Sequence, residues 1–341
     1  MADLFETRTM LRMLEQMKPP KTFLRDMFFP QVRRSSGAKV DVDIRKGQRR
    51  LAPLVHPRHE GHKVESLGYT SQTIEPAYVK PKVGLDADEV VSIRNAGENP
   101  YTGESPAQRL AARVGEELAD LDDTITRREE WMAAKALDAG EIVLSGEGID
   151  VTVSFGRSSS HNVSLSGTDA WDDADSDPEG DLRGWKRDIQ QATGRNATDV
   201  VMGADAFDAF LTNEEIKEKM DTRRVDLGEI RPEEVPDGAT YVGHLRSAGL
   251  DLWTYDEWYV DPESGDEEPM IPAKKVWVIS RRASNIRHYG AIRDLQSLVP
   301  VERFPKSWET EDPSMRWMMV QSAPLLVTHE PDAVISAQVL E

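Results

Sequence analysis

Leu110, Val114, Leu118, Leu121 and Ile125 follow one another at steps of four, four, three and four, the spacing that stacks side chains on one face of an α-helix. The stripe predicts a helix over residues 106 to about 138. Its start is marked by Ser105 as N-cap, Pro106 at the first helical position and Gln108 three after the cap, a capping box. Gly140 fits the stop, and Asp123 and Arg127 can pair on the outer face. About 33 residues rising 1.5 Å each give a rod of ~50 Å, long for a globular domain.

Upstream the pattern changes twice. Leu4, Leu11, Met13, Leu14 and Met17 give a ragged helical stripe over residues 3–17, stopped by Pro19 and Pro20. "TFLRDMFFP" (22–30) reads as an apolar docking segment. From 39 to 82 the helical period disappears: "KVDVDI" alternates as a strand and the rest is broken or extended by Gly and Pro. A hairpin with arms of about 20 residues at ~3.3 Å each reaches ~65 Å, whereas a globule of this length has a radius of gyration near ~20 Å. The hairpin is therefore expected to project beyond its own subunit, leaving Val40, Val42, Ile44, Leu51, Leu54 and Val55 few partners in their own chain.

Downstream, "EIVLSG" and "IDVTVSFGR" predict two strands around a glycine turn, and "DAWDDADSDPEGD" an acidic loop. Helix and strand then alternate from 181 to 298: "DLRGWKRDIQQATG" and "DAFDAFLTNEEIKEKMD" as helices, "ATDVVMG", "GLDLWTYDEWYV" and "KKVWVIS" as strands. "FPKSWETEDPSMRWMMVQSAPLLV" (304–327) is too long for one strand and is broken by proline for a helix. "DAVISAQVLE" predicts a final strand. The class is α+β.

Composition and charge narrow the function. The 341 residues are 30% charged and 38% hydrophobic, a globular balance, with a formal charge of −19. The sign is uneven: residues 1–82 carry a net +7 and the remaining 259 carry −26. A basic leader on an acidic body suggests either a nucleic-acid arm or an arm that docks on another copy of the chain. Arg33, Arg34, Arg45, Lys46, Arg49 and Arg50 form the basic cluster, with few aromatics to stack bases. There is no cysteine, hence no disulfide, thiolate metal site or cysteine nucleophile. The first residues lack the basic n-region and apolar run of a signal peptide. No segment approaches the ~18 apolar residues of a membrane span, so a soluble chain is expected.

Catalytic chemistry is thinly represented. The nucleotide-binding "GxxxxGK[ST]", the zinc-binding "HExxH" and the nucleophile-elbow "GxSxG" patterns do not occur. His56, His59 and His62, with Glu60 adjacent, form the one cluster with metal-ligand chemistry. Pro57 and Gly61 work against the helix that would align them, so a solvated hairpin tip is the expectation. The acidic runs "DDADSDP" and "DPESGDEEP" lack the spacing of a calcium loop and read as solvated turns. No catalytic, cofactor or metal residue is assigned.

"FPKSW" followed by "DPSMRWMMVQSAPLLV" resembles the carboxyl-terminal segment of the lambda-like major capsid proteins of tailed bacteriophages. "FLRDMFF", "EPAYVKPK" (75–82), "EKMDTRR" (218–224) and "RHYGAIRD" (287–294) resemble the same family in the same order. The resemblance implies the Hong Kong 97-type capsid fold, with an amino-terminal arm (1–38), an extended E-loop hairpin (39–82), a peripheral domain (83–180) with spine helix 106–138, an axial domain (181–298) and a return to the peripheral domain (299–341). It implies hexamers and pentamers in an icosahedral shell, assembled in the host bacterial cytoplasm, without enzymatic activity or cofactor. Implied partners are further copies of the chain, a decoration protein at three-fold sites, the portal, a scaffold or protease, and packaged double-stranded DNA through non-specific contacts, with no membrane.

Residues expected to serve assembly and packing are Arg45, Arg49 and Arg50 in the basic cluster, Tyr78, Arg223 and Arg224 in the family-like motifs, and Trp308 and Trp317 in the tail. Trp308, Trp317 and Leu325 are expected to pack under the spine helix or a neighbour's hairpin. An encapsulin-like nanocompartment shell shares the fold, and a hydrolase using the His56, His59 and His62 cluster is the enzymatic alternative.

Overall fold

The computed structural model describes residues 4–17, 21–45, 51–52, 54–60, 63, 69–86, 106–146, 148–213, 216, 238–294, 298–312 and 314–341. The chain opens with helices α1 (Thr7–Gln16) and α2 (Leu24–Phe28), then strands β1 (Gln31–Arg34), β2 (Val40–Arg45), β3 (Tyr69–Ile74) and β4 (Lys82–Asp86). The spine helix α3 (Pro106–Asp138) leads into β5 (Glu141–Gly146), β6 (Ile149–Ser154) and β7 (Asn162–Ser164). Helix α4 (Pro178–Thr193), β8 (Asp199–Met202) and α5 (Ala204–Thr212) come next, then β9 (Ala239–Leu245), β10 (Leu250–Tyr255), β11 (Trp258–Val260) and β12 (Glu267–Pro269). Strands β13 (Lys275–Ile279), β14 (Asn285–Tyr289), β15 (Ile292–Arg293), β16 (Leu298–Val299), β17 (Phe304–Thr310), β18 (Met315–Gln321), β19 (Pro324–Thr328) and β20 (Val334–Gln338) complete it.

The expected helix is present with its apolar stripe turned inward. Val114, Leu118, Leu121 and Ile125 pack against Met10 of α1, Leu85 of β4 and Met318 and Val320 of β18. Burying such a side chain contributes about 1.5–3 kcal/mol, so the stripe decides how the helix lies. Asp123 and Arg127 pair on the outer face at 3.0 Å. Further along, Met132, Ala133, Ala136 and Leu137 join a second core with Phe23, Leu24 and Phe28 of the α2 segment and Leu325 to Val327 of β19. The spine is thus sheathed by the first and last parts of the chain.

A six-stranded sheet, ordered β7-β20-β13-β8-β10-β9, carries the third core. Strand β8 is buried on both faces and central, parallel to β10 and antiparallel to β13. Helix α4 packs on this sheet through Leu182, Trp185 and Ile189. The Asp177 side chain accepts from Gly180 N at 2.8 Å and Pro178 opens the helix, while Gly194 at φ 78° closes it in the left-handed conformation. Residues 181–298 supply four of the six strands; β7 and β20 come from outside that span.

The hairpin departs from expectation at its base. Val40, Val42 and Ile44 are buried in the chain's own core, not left without partners. Strand β2 pairs antiparallel with β3, and the two-residue period puts all three on one face, which the body covers. Farther out, Leu51 and Leu54 are 97% and 102% exposed. Only the outer part of the hairpin lacks intrachain partners among the described residues.

Candidate assembly surfaces and the centre that holds them

Two adjacent carboxylates on the inner face of α3 organise the chain's first segment. Helix α2 has no side-chain cap of its own, so its first N–H groups need an acceptor. Glu130 supplies it, accepting from Leu24 N at 2.7 Å and Arg25 N at 2.8 Å, with the Tyr255 hydroxyl donating at 2.8 Å. Burial pushes the Glu130 carboxyl above its ordinary pKa range, against the lowering by these donors.

Glu129, fully buried, receives the Arg25 guanidinium at 3.0 Å, Arg303 at 2.7 Å and the Tyr289 hydroxyl at 3.1 Å. Arg303 also reaches Asp122 at 2.5 Å and Thr126 at 3.1 Å. Burial alone would lower the Arg303 pKa, but Glu129 and Asp122 carry it well above its ordinary range. Arg25 comes from the leader and Arg303 from the segment after β16, so one carboxylate fastens both ends to the spine.

The far end of α3 is held as firmly. Arg157 donates to the carbonyls of Asp138 at 2.7 Å and Ala136 at 2.9 Å, satisfying acceptors that the helix leaves open. Burial holds its pKa down at about 10, with Asp138 and Asp332 opposing. The Asp138 carboxylate accepts from Lys275 at 2.8 Å, Trp277 Nε1 at 3.1 Å and Ser336 at 2.9 Å, joining the spine to β13 and β20. The arrangement fixes arms and sheets.

The outward surfaces are different in kind. Trp308 and Trp317 are register partners on β17 and β18, stacked with ring centroids 6.4 Å apart at 19°. Gly84, the β4 partner of Trp317, leaves room for its ring: a Cβ there would come within 3.1 Å of it. Lys82 Nζ sits 4.9 Å from the same ring. Neither tryptophan lies beneath the spine helix. Met318 and Val320 take that place, because neighbours along a strand point to opposite faces. Leu325 is buried in the core that β19 shares with α3. A groove of about 560 Å³ runs between Tyr78 and Lys80, Trp131 of α3, Val143 of β5 and Glu263.

Tyr78 bridges to the β15 region, donating to Ala291 O at 3.3 Å and accepting from Arg293 N at 3.1 Å. Arg45 ends β2; Arg49, Arg50, Arg223 and Arg224 lie outside the described residues, as does His62. His56 and His59 are exposed, their ring centroids 6.0 Å apart, in a turn closed by His59 N donating to His56 O at 2.8 Å. Among the described residues no group of three or more His, Asp or Glu could hold a metal.

Glu129, Glu130, Arg303 and Asp138 were not singled out by the sequence pattern. Their signal was present: Glu129 falls four residues after Ile125, on the stripe where an apolar residue belongs, and a charge there requires a buried partner.

The comparisons with known proteins bear on this geometry. The family model described as phage major capsid protein E matches residues 6–339. The chain is 28% identical over 331 residues to the major capsid protein of Escherichia phage lambda, covering 93% of each. It is 28% identical over 347 residues to that of Enterobacteria phage P21, covering 98% of this chain and 99% of the relative. Its fold matches a crystal structure assigned to a prophage capsid protein of E. coli CFT073 with TM-score 0.73 at 18% identity, covering 98% of each. A phage-related protein of Bordetella bronchiseptica RB50 matches with TM-score 0.56 at 12% identity, covering 99% of this chain and 98% of the other. With the sheathed spine, the β2–β3 hairpin and the six-stranded sheet that α4 covers, this match over residues 6–339 establishes that the chain belongs to the phage major capsid protein E family, the shell proteins of tailed phages.

Proposed function

We propose that this capsid protein closes its icosahedral shell as hexamers and pentamers by laying the outer part of the β2–β3 hairpin across an adjacent subunit. The supporting observation is the near-complete exposure of Leu51 and Leu54 on a hairpin whose base is packed into its own core. Apolar tips of this kind gain their burial from a second copy, and obligate interfaces often exceed ~2,000 Å². The basic cluster at Arg45, Arg49 and Arg50 favours an acidic neighbour. Arg223 and Arg224, Tyr78 and the outward Trp308–Trp317 pair are further assembly contacts. The division into arm, hairpin, peripheral and axial domains belongs to the same reading. So do a decoration protein at three-fold positions, the portal, a scaffold or protease, non-specific contact with packaged double-stranded DNA, and assembly in the host cytoplasm.

The test removes the tip and spares the base. Replacing residues 46–68 with a short Gly-Ser turn keeps the β2–β3 pairing. A folded chain that makes no closed particles by electron microscopy is the expected result, and normal shells would overturn the proposal.

A further inference from the structure

Strands β13 and β14 follow each other in the chain but belong to different sheets, and so do β19 and β20: β13 and β20 lie in the six-stranded sheet, β14 and β19 in the three-stranded sheet β1-β14-β19. The two crossings run side by side. Ile279 pairs with Val334 at one end and Asn285 with Thr328 at the other. Between them Ser280 N donates to Ala333 O at 3.2 Å and His329 N to Ser284 O at 3.0 Å. This double crossing is a joint between the two sheets.

Polar side chains in the joint are buried and unsatisfied. Ser280 and Thr328 are fully buried and Asn285 is 2% exposed. Among the described residues, eight buried side-chain nitrogen and oxygen atoms have no hydrogen-bond partner in the protein, and five of them sit here: Nδ2 and Oδ1 of Asn285, Oγ1 of Thr328, Oγ of Ser280 and Nε of Arg287. Turning the Asn285 amide over does not help, because both its ends are orphaned. Asn285 and Arg287 are two apart on β14 and share a face, the one from which Tyr289 reaches Glu129 of α3 at 3.1 Å. Asn285 and Thr328 are register partners, with Cβ atoms about 4.5–5.5 Å apart, and no hydrogen bond joins their side chains. Ser280 lies across a turn closed by Ala283 N donating to Ser280 O at 3.0 Å.

Polar groups withdrawn from water without a replacement partner are costly, and in folded proteins such groups are satisfied by protein or by ordered water. The donor and acceptor set selects the ligand. Asn285 Nδ2 and Arg287 Nε only donate, Asn285 Oδ1 only accepts, and the two hydroxyls do either. A metal cation would face N–H groups and an anion would face the amide oxygen, whereas a water molecule both donates and accepts. We propose that this joint is an internal hydration site, where Asn285 and Thr328 share a bound water and Ser280 Oγ and Arg287 Nε belong to the same hydrated patch. At about three hydrogen bonds per buried water, the site holds about one or two. These waters take the place of side-chain partners that neither sheet supplies.

A density map of the full-length protein, in crystals or in assembled shells, at a resolution that shows ordered water tests the site. The expected result is a water peak within about 3.2 Å of both Thr328 Oγ1 and an atom of the Asn285 amide. No peak there, or a direct bond between the two side chains, overturns it. A double-mutant cycle on the unfolding constant of the unassembled chain tests the sharing. Thr328→Val and Asn285→Leu each leave the water short of a partner, and each should raise that constant about tenfold. The double variant, which removes both partners, should fall short of the product of the two effects by more than about threefold; a product reproduced within that factor overturns the shared water. If a variant does not fold, the map alone decides.

Discussion

Arg303 Nη1 stands 2.7 Å from Glu129 Oε1 inside the protein, and Arg25, 278 positions earlier in the chain, approaches the other oxygen of the same carboxylate at 3.0 Å. Two distant segments therefore share one buried anion. Replacing that anion takes the shared buried carboxylate away from both guanidinium groups, and removing one partner of a buried pair costs about 3–5 kcal/mol. Glu129→Gln should lower unfolding stability by that amount in chemical denaturation of the unassembled protein. A loss under about 1 kcal/mol, the range of surface pairs, would mean that the contact is not what secures the arms.

The two faces of β18 should respond differently. Met318 is fully buried beneath the spine, and its truncation to Ala should cost about 2–5 kcal/mol. Trp317 is half-buried on the opposite face, and Trp317→Ala should cost distinctly less in the same assay while impairing particle assembly. Equal destabilisation by both would contradict the assignment of faces.

Gly140 sits at φ 72°, and a Cβ there would stand 2.8 Å from Cβ of Arg157, the residue that closes the spine helix. Gly140→Ala combines left-handed strain with displacement of that cap and should cost about 1–3 kcal/mol. An unchanged denaturation midpoint would show that the turn relaxes freely.

Reversing Arg49 and Arg50 to Glu should weaken assembly, and raising ionic strength should mimic the change, since exposed charge pairs are screened within ~10 Å at 0.1 M salt. Normal assembly with reduced DNA retention would assign the basic cluster to nucleic acid instead.

The spine helix, the β5–β6 pair after it and strands β8, β10, β13 and β20 of the six-stranded sheet are legible because each follows a local pattern; β7 and β9 are not. The stripe Leu110 to Ile125 needed no knowledge of what covers it. Which side of a strand meets the core is a different matter. The run Met315 to Val320 is apolar on both faces, so its pattern could not say that Met318 faces inward and Trp317 outward. The buried polar centre was hidden for a related reason: Glu129 and Glu130 read as solvated charges until Arg25 and Arg303, distant in sequence, are seen to arrive. For the hairpin, reach was estimated from strand length, but the burial of Val40, Val42 and Ile44 depends on a body surface that no local pattern describes.

The central claim is that the hairpin tip becomes buried against another copy of the chain. Because the sequence contains no cysteine, Leu54→Cys introduces a single thiol at that tip, and its rate of alkylation by a maleimide can be compared in unassembled protein and in purified shells. The account predicts rapid reaction in the free chain and a rate at least tenfold lower in shells; equal rates would contradict it.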